Sequence, residues 1–249
     1  TKHNVSSFNS YSTPIHKMKN IAYAYIHGFK SSGKSAKGRA VKEMIPQFML
    51  PTLYKDFNSF TVSDALRTMD RLHDREIRNR GTNDLKWRFV GSSLGGYVAS
   101  KWAEMNPDCV DRLVLYCPAL DIPALLKHVY DENALEAWKL EGSLKMDGPG
   151  GEPANLHYDF VRDAQENHNQ IPSIPSHIST LIMHGERDEV IQLAHSEKFT
   201  SVNNHVSLNA IKDGDHALTD HIPTLLFNTL KFLGNMEYKS ELRSTIPQE

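Results

Sequence analysis

The residues Leu85-Lys-Trp-Arg-Phe-Val-Gly-Ser-Ser-Leu-Gly-Gly-Tyr-Val98 determine the architecture of this chain. They join an apolar run typical of a buried strand, through the pattern G-x-S-x-G at Gly91–Gly95, to a helix-like segment that Pro107 ends. A serine in a sharp turn between a strand and a helix is accessible, and the helix directs free N–H groups towards it. The pattern therefore predicts that Ser93 is a nucleophile.

Strands and helices alternate on both sides of this turn. We expect strands at residues 21–26, 85–90, 111–117, 180–184 and 206–211, and helices at residues 35–48, 63–80, 94–106, 193–202 and 222–233. Because parallel strands need a crossover connection, usually a helix, the alternation predicts an α/β fold with a mostly parallel sheet and helices on both faces. The alternation is interrupted at residues 121–176, which we interpret as a small helical cap or lid inserted into the fold.

The length of 249 residues fits one domain carrying this cap. We expect a flexible lead-in at residues 1–19, a single α/β domain at residues 20–234 with the insertion at about 121–176, and a polar tail at residues 235–249. The insertion is too short, and too often broken by Pro and Gly, to form a core of its own.

The charge balance and the cysteines restrict which binding partners and which cellular compartment the sequence favours. Lys and Arg number 28 against 30 for Asp and Glu, so the chain has no net positive charge that would favour binding to nucleic acid. No apolar run approaches the ~20 residues that span a bilayer. Cys109 and Cys117 flank the apolar run at residues 110–116, which as a strand would hold them roughly 26 Å apart, too far for a disulfide. We expect the cytoplasm or another reducing compartment. The first residue is Thr1 rather than Met, which leaves room for a removed targeting segment.

Candidates for the base and acid that a serine nucleophile needs follow the last two predicted strands. Asp188 follows the strand at 180–184, and His216 follows the strand at 206–211. Both lie at the carboxyl edge of the sheet, where open α/β sheets bind their ligands, and the order Ser, Asp, His favours them. The acids that compete with Asp188 are Glu186, Glu189, Asp213 and Asp215.

Two backbone N–H groups are needed to stabilise an oxyanion. Leu94, directly after the candidate nucleophile, supplies one. Phe29 is the candidate for the second, because Gly28 lets the backbone approach closely. The residues selected for contact with the substrate are His27 and three apolar side chains of the insertion, Leu125, Tyr130 and Trp138. The alternative for those three is that they only pack the insertion onto the core.

The segment Gly28-Phe-Lys-Ser-Ser-Gly-Lys-Ser35 also matches G-x-x-x-x-G-K-[ST], a pattern typical of a phosphate-binding P-loop. Such an enzyme needs a carboxylate for Mg²⁺ after another strand, and only Asp213 is so placed. A P-loop nucleotide-binding enzyme is therefore the alternative from another class. Under the hydrolase interpretation, the cations of this region form a solvated rim that meets an acidic group of the substrate. They are Lys30, Lys34, Lys37 and Arg39.

The spacing of the histidines does not predict a metal site. His216 and His221 are five positions apart, but no third ligand follows at a fixed spacing. We therefore expect no metal and no cofactor.

Four motifs together resemble the α/β-hydrolase superfamily over about residues 20–234. They are His27-Gly-Phe29, Val90-Gly-Ser-Ser-Leu-Gly-Gly96, His184-Gly-Glu-Arg-Asp-Glu-Val190 and Gly214-Asp-His216. The resemblance implies an α/β-hydrolase fold and hydrolysis of an ester or thioester by Ser93, Asp188 and His216. Residues 1–19 do not resemble the antiparallel hairpin that begins the larger members, which implies a shortened sheet.

Two finer resemblances point to ester chemistry. Residues His27–Lys37 resemble small bacterial esterases of the YqiA type, and Tyr158–Ala164 resembles the mitochondrial acyl-protein thioesterase and acyl-glucuronide esterase group. We therefore predict a serine hydrolase that cleaves carboxylic esters or thioesters of a small-molecule or acylated substrate through an acyl-enzyme intermediate. A serine peptidase, or another acyl-transfer hydrolase using the same three residues, is the nearest alternative.

Overall fold

The structure, a computed structural model, describes residues 20–234; the predicted lead-in and tail lie outside the described residues. The strands in this range are β1 (Ile21–Ile26), β2 (Phe48–Met49), β3 (Lys86–Ser92), β4 (Val110–Tyr116), β5 (Ser143–Asp147), β6 (Pro153–His157), β7 (Ser179–Gly185) and β8 (Val206–Ile211). Six of them form one parallel sheet in the order β2-β1-β3-β4-β7-β8, whereas β5 and β6 form a separate antiparallel hairpin. The predicted α/β fold class with a parallel sheet is confirmed.

Helices connect the strands of the sheet. They are α1 (Ala36–Met44), α2 (Val62–Arg80), α3 (Leu94–Met105), α4 (Ile122–Val129), α5 (Glu132–Glu141), α6 (Asp159–Asn167), α7 (Leu193–Val202) and α8 (Ile222–Leu233). The first ends earlier than predicted, because Pro46 disfavours helical backbone at the residue before it. The chain released there pairs as β2 beside β1, through Phe48 and Met49.

The sheet carries an apolar layer on each face. In β1, Ala22, Ala24 and Ile26 face the cluster that contains α2 and α3, whereas Tyr23 and Tyr25 face the cluster that contains α1 and α8. This alternation is the two-residue period of a strand buried on both sides. Because the helices cover both faces, the carboxyl ends of the strands are left as the edge where a site can form.

The insertion at residues 121–176 contains more than the predicted helices. The amphipathic stretch at residues 125–140 is two helices, because the chain leaves α4 at Tyr130 and Asp131 caps α5 by accepting a hydrogen bond from Ala134 N. The turn-rich segment at residues 147–153 is the loop of the β5–β6 hairpin, which the sequence did not predict. Side chains from the insertion, Trp138, Leu156 and Phe160 among them, join the apolar cluster beside α2 and α3.

None of the helices between residues 20 and 234 combines the length and apolarity that a membrane span requires.

Candidate active site

Ser93 lies in the turn between β3 and α3, at the carboxyl edge of the sheet. Its φ of 53° and ψ of −121° are rare for an L-residue, and such backbone strain costs of order 1–3 kcal/mol. Glycines make the turn possible: a Cβ at Gly95 would lie 2.1 Å from the carbonyl oxygen of Ile26, and one at Gly91 would lie 2.6 Å from the carbonyl oxygen of Gly95. The backbone of Ser93 is held on the sheet by a 2.9 Å hydrogen bond from its N–H to Tyr116 O.

The structure brings His216 and Asp188 next to this serine. The distance from Ser93 Oγ to His216 Nε2 is 3.1 Å, and that from His216 Nδ1 to Asp188 Oδ2 is 2.8 Å. The imidazole is 19% exposed, whereas the carboxylate is completely buried. Because an ionised carboxylate accepts, the proton of the neutral ring is assigned to Nδ1, which leaves Nε2 as an acceptor for the serine hydroxyl.

The carboxylate of Asp188 is held ionised by its neighbours. Oδ1 accepts hydrogen bonds from the N–H groups of Val190 at 2.9 Å and Ile191 at 2.7 Å, and Oδ2 lies 3.2 Å from His184 Nε2 as well as beside His216. Burial acts to raise the pKa of Asp188, but the hydrogen bonds from His184 and His216 outweigh it and hold this pKa well below the usual range. The group that orients His216 is therefore negatively charged at neutral pH.

The competing acids take other partners. Asp213 forms an ion pair with Arg187, and Asp215 Oδ1 accepts a hydrogen bond from Leu218 N at 2.6 Å. Glu189 contacts the backbone N–H of His216, at 3.5 Å, rather than its ring, and Glu186 is exposed. Among the acids weighed from the sequence, Asp188 alone contacts the imidazole within residues 20–234.

Phe29 and Leu94 border the same cavity as Ser93 and His216. Neither of their backbone N–H groups has a hydrogen-bond partner within residues 20–234. Gly28 brings the Phe29 loop close, since a Cβ on it would lie 3.1 Å from Ser93 Cβ. The ring of Phe29 stacks on Phe160 of α6 at a centroid distance of 4.9 Å, which fixes the loop. Two N–H groups without a protein partner in this range, at one cavity, are the type of donor that stabilises an oxyanion.

The cavity next to Ser93 has a volume of about 320 Å³ and a mainly apolar wall. Leu125 and Tyr130, both selected from the sequence, lie on this wall together with Ile122, Val129 and Phe160. All five belong to the insertion, so the insertion covers the carboxyl edge of the sheet and forms one side of the cavity. The arrangement combines a serine hydroxyl, an imidazole hydrogen-bonded to a carboxylate, two N–H groups without a partner in the described part of the chain, and a mainly apolar cavity.

Comparison with known proteins places this architecture in a family. The sequence profile of the uncharacterised protein family UPF0227 matches residues 22–233. The chain belongs to the UPF0227 family. No curated protein sequence matches the chain significantly.

Solved structures show which fold this UPF0227 chain has. It is similar to Est1E from Butyrivibrio proteoclasticus, with 21% identity, a TM-score of 0.65 and coverage of 88% of each chain. Alpha/beta hydrolase domain-containing protein 10 from mouse has 19% identity and a TM-score of 0.65, over 86% of this chain and 90% of that one. The esterase domain of a Rhodothermus marinus protein has 18% identity and a TM-score of 0.59, over 87% and 86%. The fold is the α/β-hydrolase fold, and the predicted resemblance to that superfamily is confirmed.

Two residues selected for substrate contact do not lie on the cavity wall of this UPF0227 chain. His27 is buried, with Nε2 accepting the N–H of Leu53 at 3.1 Å and Nδ1 donating to Gly28 O at 2.9 Å. Burial lowers its pKa, so the ring is neutral and joins β1 to the loop before α2. Trp138 is also buried, and its Nε1–H donates to Leu156 O at 2.9 Å inside the insertion. The structure places both rings in buried hydrogen bonds rather than on the wall of this cavity.

Residues of the P-loop motif cap a helix and pack against the candidate nucleophile. Ser35 caps α1 by accepting a hydrogen bond from Gly38 N, Lys34 is exposed, and Gly28 packs against Ser93. The carboxylate that would have served Mg²⁺, Asp213, forms its ion pair with Arg187. The close packing of Gly28 on Ser93, and of Gly33 on the backbone of Leu50, accounts for the two glycines of this loop in the UPF0227 chain without a nucleotide.

Cys117 is the remaining reactive side chain near the site. Its Sγ lies within 4.8 Å of the ligand atoms of Asp188 and His216. Burial raises the pKa of this thiol, so it is protonated at neutral pH, and the other two groups are already hydrogen-bonded to each other. We interpret Cys117 as packing beneath the imidazole. Cys109 and Cys117 are both free thiols.

The sequence did not identify His184 as a functional residue. This buried ring lies 2.8 Å from Ser196 Oγ through Nδ1 and 2.8 Å from Ile191 O through Nε2. Because Ile191 O and Asp188 Oδ2 are both acceptors, the proton is assigned to Nε2 and the Ser196 hydroxyl donates to Nδ1. His184 thus contacts the same carboxylate oxygen, Oδ2, as His216 does. The signal in the sequence was a histidine four positions before the candidate acid, at the end of the same strand.

Proposed function

We propose that this chain is a serine hydrolase that cleaves carboxylic esters or thioesters. The observation that carries the proposal is the unbroken hydrogen-bonded series from Ser93 Oγ through His216 to Asp188, at 3.1 and 2.8 Å, beside an apolar cavity. The fold agrees with this proposal but does not carry it, because one fold supports many reactions.

The proposed reaction starts when Ser93 Oγ attacks the substrate carbonyl while His216 Nε2 takes the hydroxyl proton. Asp188 stabilises the resulting imidazolium, and the N–H groups of Phe29 and Leu94 stabilise the oxyanion. The bond to the leaving group then breaks, and His216 donates its proton to that group. In the second half, His216 takes a proton from water as the water oxygen attacks the acyl carbonyl. The bond between the acyl group and Ser93 Oγ then breaks, His216 returns the proton to Oγ, and the acid leaves.

The cavity supports an acyl group of modest size. Its volume of about 320 Å³ lies at the lower end of the ~300–1,000 Å³ typical of ligand pockets. The wall contributed by α4, including Leu125 and Val129, is apolar, so burial of an alkyl or aryl group there is favourable by about 25 cal/mol per Å². These features favour the hydrolase proposal with a short or medium acyl chain or an aromatic acyl group.

A fluorophosphonate probe tests the nucleophile. We expect covalent labelling of the wild type, loss of labelling in Ser93→Ala, and normal labelling in Lys34→Ala, since that exposed lysine lies outside the cavity. Labelling that survives in Ser93→Ala would contradict the assignment. Absence of labelling together with ATP-dependent thermal stabilisation that Lys34→Ala removes would favour the P-loop alternative instead.

A matched substrate panel tests the bond. We expect Ser93-dependent hydrolysis of 4-nitrophenyl esters and of the corresponding thioesters, with a maximum of kcat/KM between acetyl and decanoyl chains. Cleavage of peptide amides without cleavage of either series would favour the serine peptidase.

A further inference from the structure

Lys30 is one of the residues that line the cavity containing Ser93, and its side chain is exposed to solvent. Within the described part of the chain, the other side chains around this cavity are uncharged apart from the candidate base, His216. Lys30 directly follows Phe29, whose N–H is a candidate oxyanion donor. A cation at this position is therefore close to the bond that would be cleaved.

The backbone of Lys30 has a φ of 55°, in the left-handed region that favours glycine. Glycine would adopt this turn with less backbone strain than lysine, so the turn itself does not explain why a lysine is present. Strain of this kind at a site is typical of a side chain that is retained for its function. The backbone thus points to a role for the ammonium group itself.

The charge of Lys30 is also uncompensated. Within residues 20–234, no hydrogen bond or ion pair engages its ammonium group, whereas the neighbouring cations of the predicted rim have other positions or partners. Lys37 Nζ donates to Ala217 O at 2.7 Å, and the guanidinium of Arg39 donates to Lys34 O at 2.6 Å. Lys34 is exposed, as Lys30 is, but it does not line the cavity. Of the four predicted rim cations, Lys30 alone reaches the cavity free of a protein partner.

We propose that Lys30 binds an anionic group of the substrate, so that the preferred substrates are esters or thioesters with an apolar body and one carboxylate or phosphate near the reacting carbonyl. This inference rests on the proposed function. An apolar wall with one unpaired cation is complementary to such an amphipathic anion, because burial holds the apolar part and the ammonium group orients the charge. The anionic group belongs either to the leaving group or to the acyl chain.

Three chromogenic esters test the proposal and separate these two positions. They are 4-nitrophenyl hexanoate, 3-carboxy-4-nitrophenyl hexanoate with the charge on the leaving group, and the 4-nitrophenyl monoester of adipic acid with the charge on the acyl chain. The measured quantity is kcat/KM for each anionic ester divided by kcat/KM for the neutral ester. This ratio is compared between variants of the full chain, so that the intrinsic reactivity of each ester cancels.

We expect Lys30→Gln to lower the ratio for one anionic ester about fivefold, the effect of one exposed charge pair, and added salt to reduce the difference. Lys30→Arg should keep the ratio, Lys30→Glu should lower it further, and Lys34→Gln should match the wild type. Equal ratios in the wild type and Lys30→Gln for both anionic esters, with Ser93-dependent hydrolysis intact, would overturn the role of Lys30 alone. Absence of Ser93-dependent hydrolysis of all three esters would overturn the proposed function and this inference with it.

Discussion

The loops at the carboxyl edge of the sheet and the insertion at residues 121–176 are built differently. At the edge, the backbone sets the geometry: Ser93 occupies a strained turn between close glycine contacts, and two N–H groups bind the Asp188 carboxylate. The insertion is attached to a large extent through side chains, such as the stacking of Phe160 on Phe29 and the Asp163 carboxylate that accepts from Ser63 N at 2.8 Å, together with a backbone hydrogen bond from His157 N to Asn58 O. We therefore expect the loops at the sheet edge to tolerate few substitutions, whereas substitutions in the insertion can change the shape of the cavity.

The largest effect is expected at the elbow glycine. A Cβ at Gly95 would lie 2.1 Å from Ile26 O and 2.6 Å from His27 O, both backbone atoms of β1 and its loop, so Gly95→Ala should prevent folding or cost more than about 3 kcal/mol of unfolding free energy. The matched change in the insertion is Gly150→Ala, where the φ is 77° and no atom lies within 4 Å of a new Cβ. It should cost about 1 kcal/mol from backbone strain alone. Urea unfolding followed by circular dichroism measures the unfolding free energy of both variants. Similar losses of unfolding free energy in Gly95→Ala and Gly150→Ala would contradict the difference between the sheet edge and the insertion.

The acid that orients His216 should matter more for the reaction than for the fold at neutral pH. We expect Asp188→Asn to lower kcat for the preferred ester by about 10³–10⁴-fold, because the ring loses its proper tautomer and the charge beside it. The exposed acid Asp213 supplies the control: Asp213→Asn should change kcat less than about threefold. A decrease of kcat in Asp213→Asn as large as that in Asp188→Asn would contradict the proposed role of Asp188.

The lowered pKa of Asp188 also predicts how stability depends on pH. Its stabilising contribution is fully present above the unfolded value of about 3.9 and is lost as the pH falls through the lower folded value. Below about pH 4, the unfolding free energy of the wild type should therefore decrease more steeply than that of Asp188→Asn. Urea unfolding between pH 3 and pH 7 tests this expectation, and parallel curves for the two proteins would contradict it.

Inside the insertion, Trp138 should affect stability and leave the reacting groups in place. Trp138→Phe removes the N–H that Leu156 O accepts and shortens a fully buried side chain, so we expect a loss of about 1–3 kcal/mol. Leu140→Ala on the same helix, at a side chain that is 79% exposed, should stay within about 0.5 kcal/mol. Fluorophosphonate labelling of Ser93 should persist in both variants. Loss of labelling in folded Trp138→Phe would show that the insertion also sets the reacting geometry.

The smallest effect is expected where the insertion touches the cavity. Leu125→Ala should lower kcat/KM for hexanoyl relative to acetyl esters by about three- to tenfold, because the longer chain loses apolar contacts. Leu140→Ala should leave this ratio unchanged, since that side chain lies away from the cavity. An unchanged ratio in Leu125→Ala would favour the alternative in which this residue only packs the insertion.

Local patterns were sufficient for five of the six strands of the sheet, all except the two-residue strand β2, and for the candidate residues at its edge. The strand, the glycine-flanked Ser93 and the following helix are contiguous, and Asp188 and His216 directly follow strands, so their types and order are readable without three-dimensional information. The β5–β6 hairpin was missed because its strands are short and mostly solvent-exposed, which leaves no continuous apolar run. The break between α4 and α5 was missed because both helices share one amphipathic pattern.

Periodicity and motif order thus identified the α/β class and brought Ser93, Asp188 and His216 forward as candidates, because these signals depend on residues close in the chain. Only the tertiary structure excluded His27 and Trp138 from the cavity wall, since their buried hydrogen bonds are made to Leu53 and Leu156 in other segments. It likewise revealed His184 beside Asp188 and separated Lys30 from the other cations of its loop. Burial and the directions of side chains depend on contacts between distant segments, and a linear pattern does not contain them.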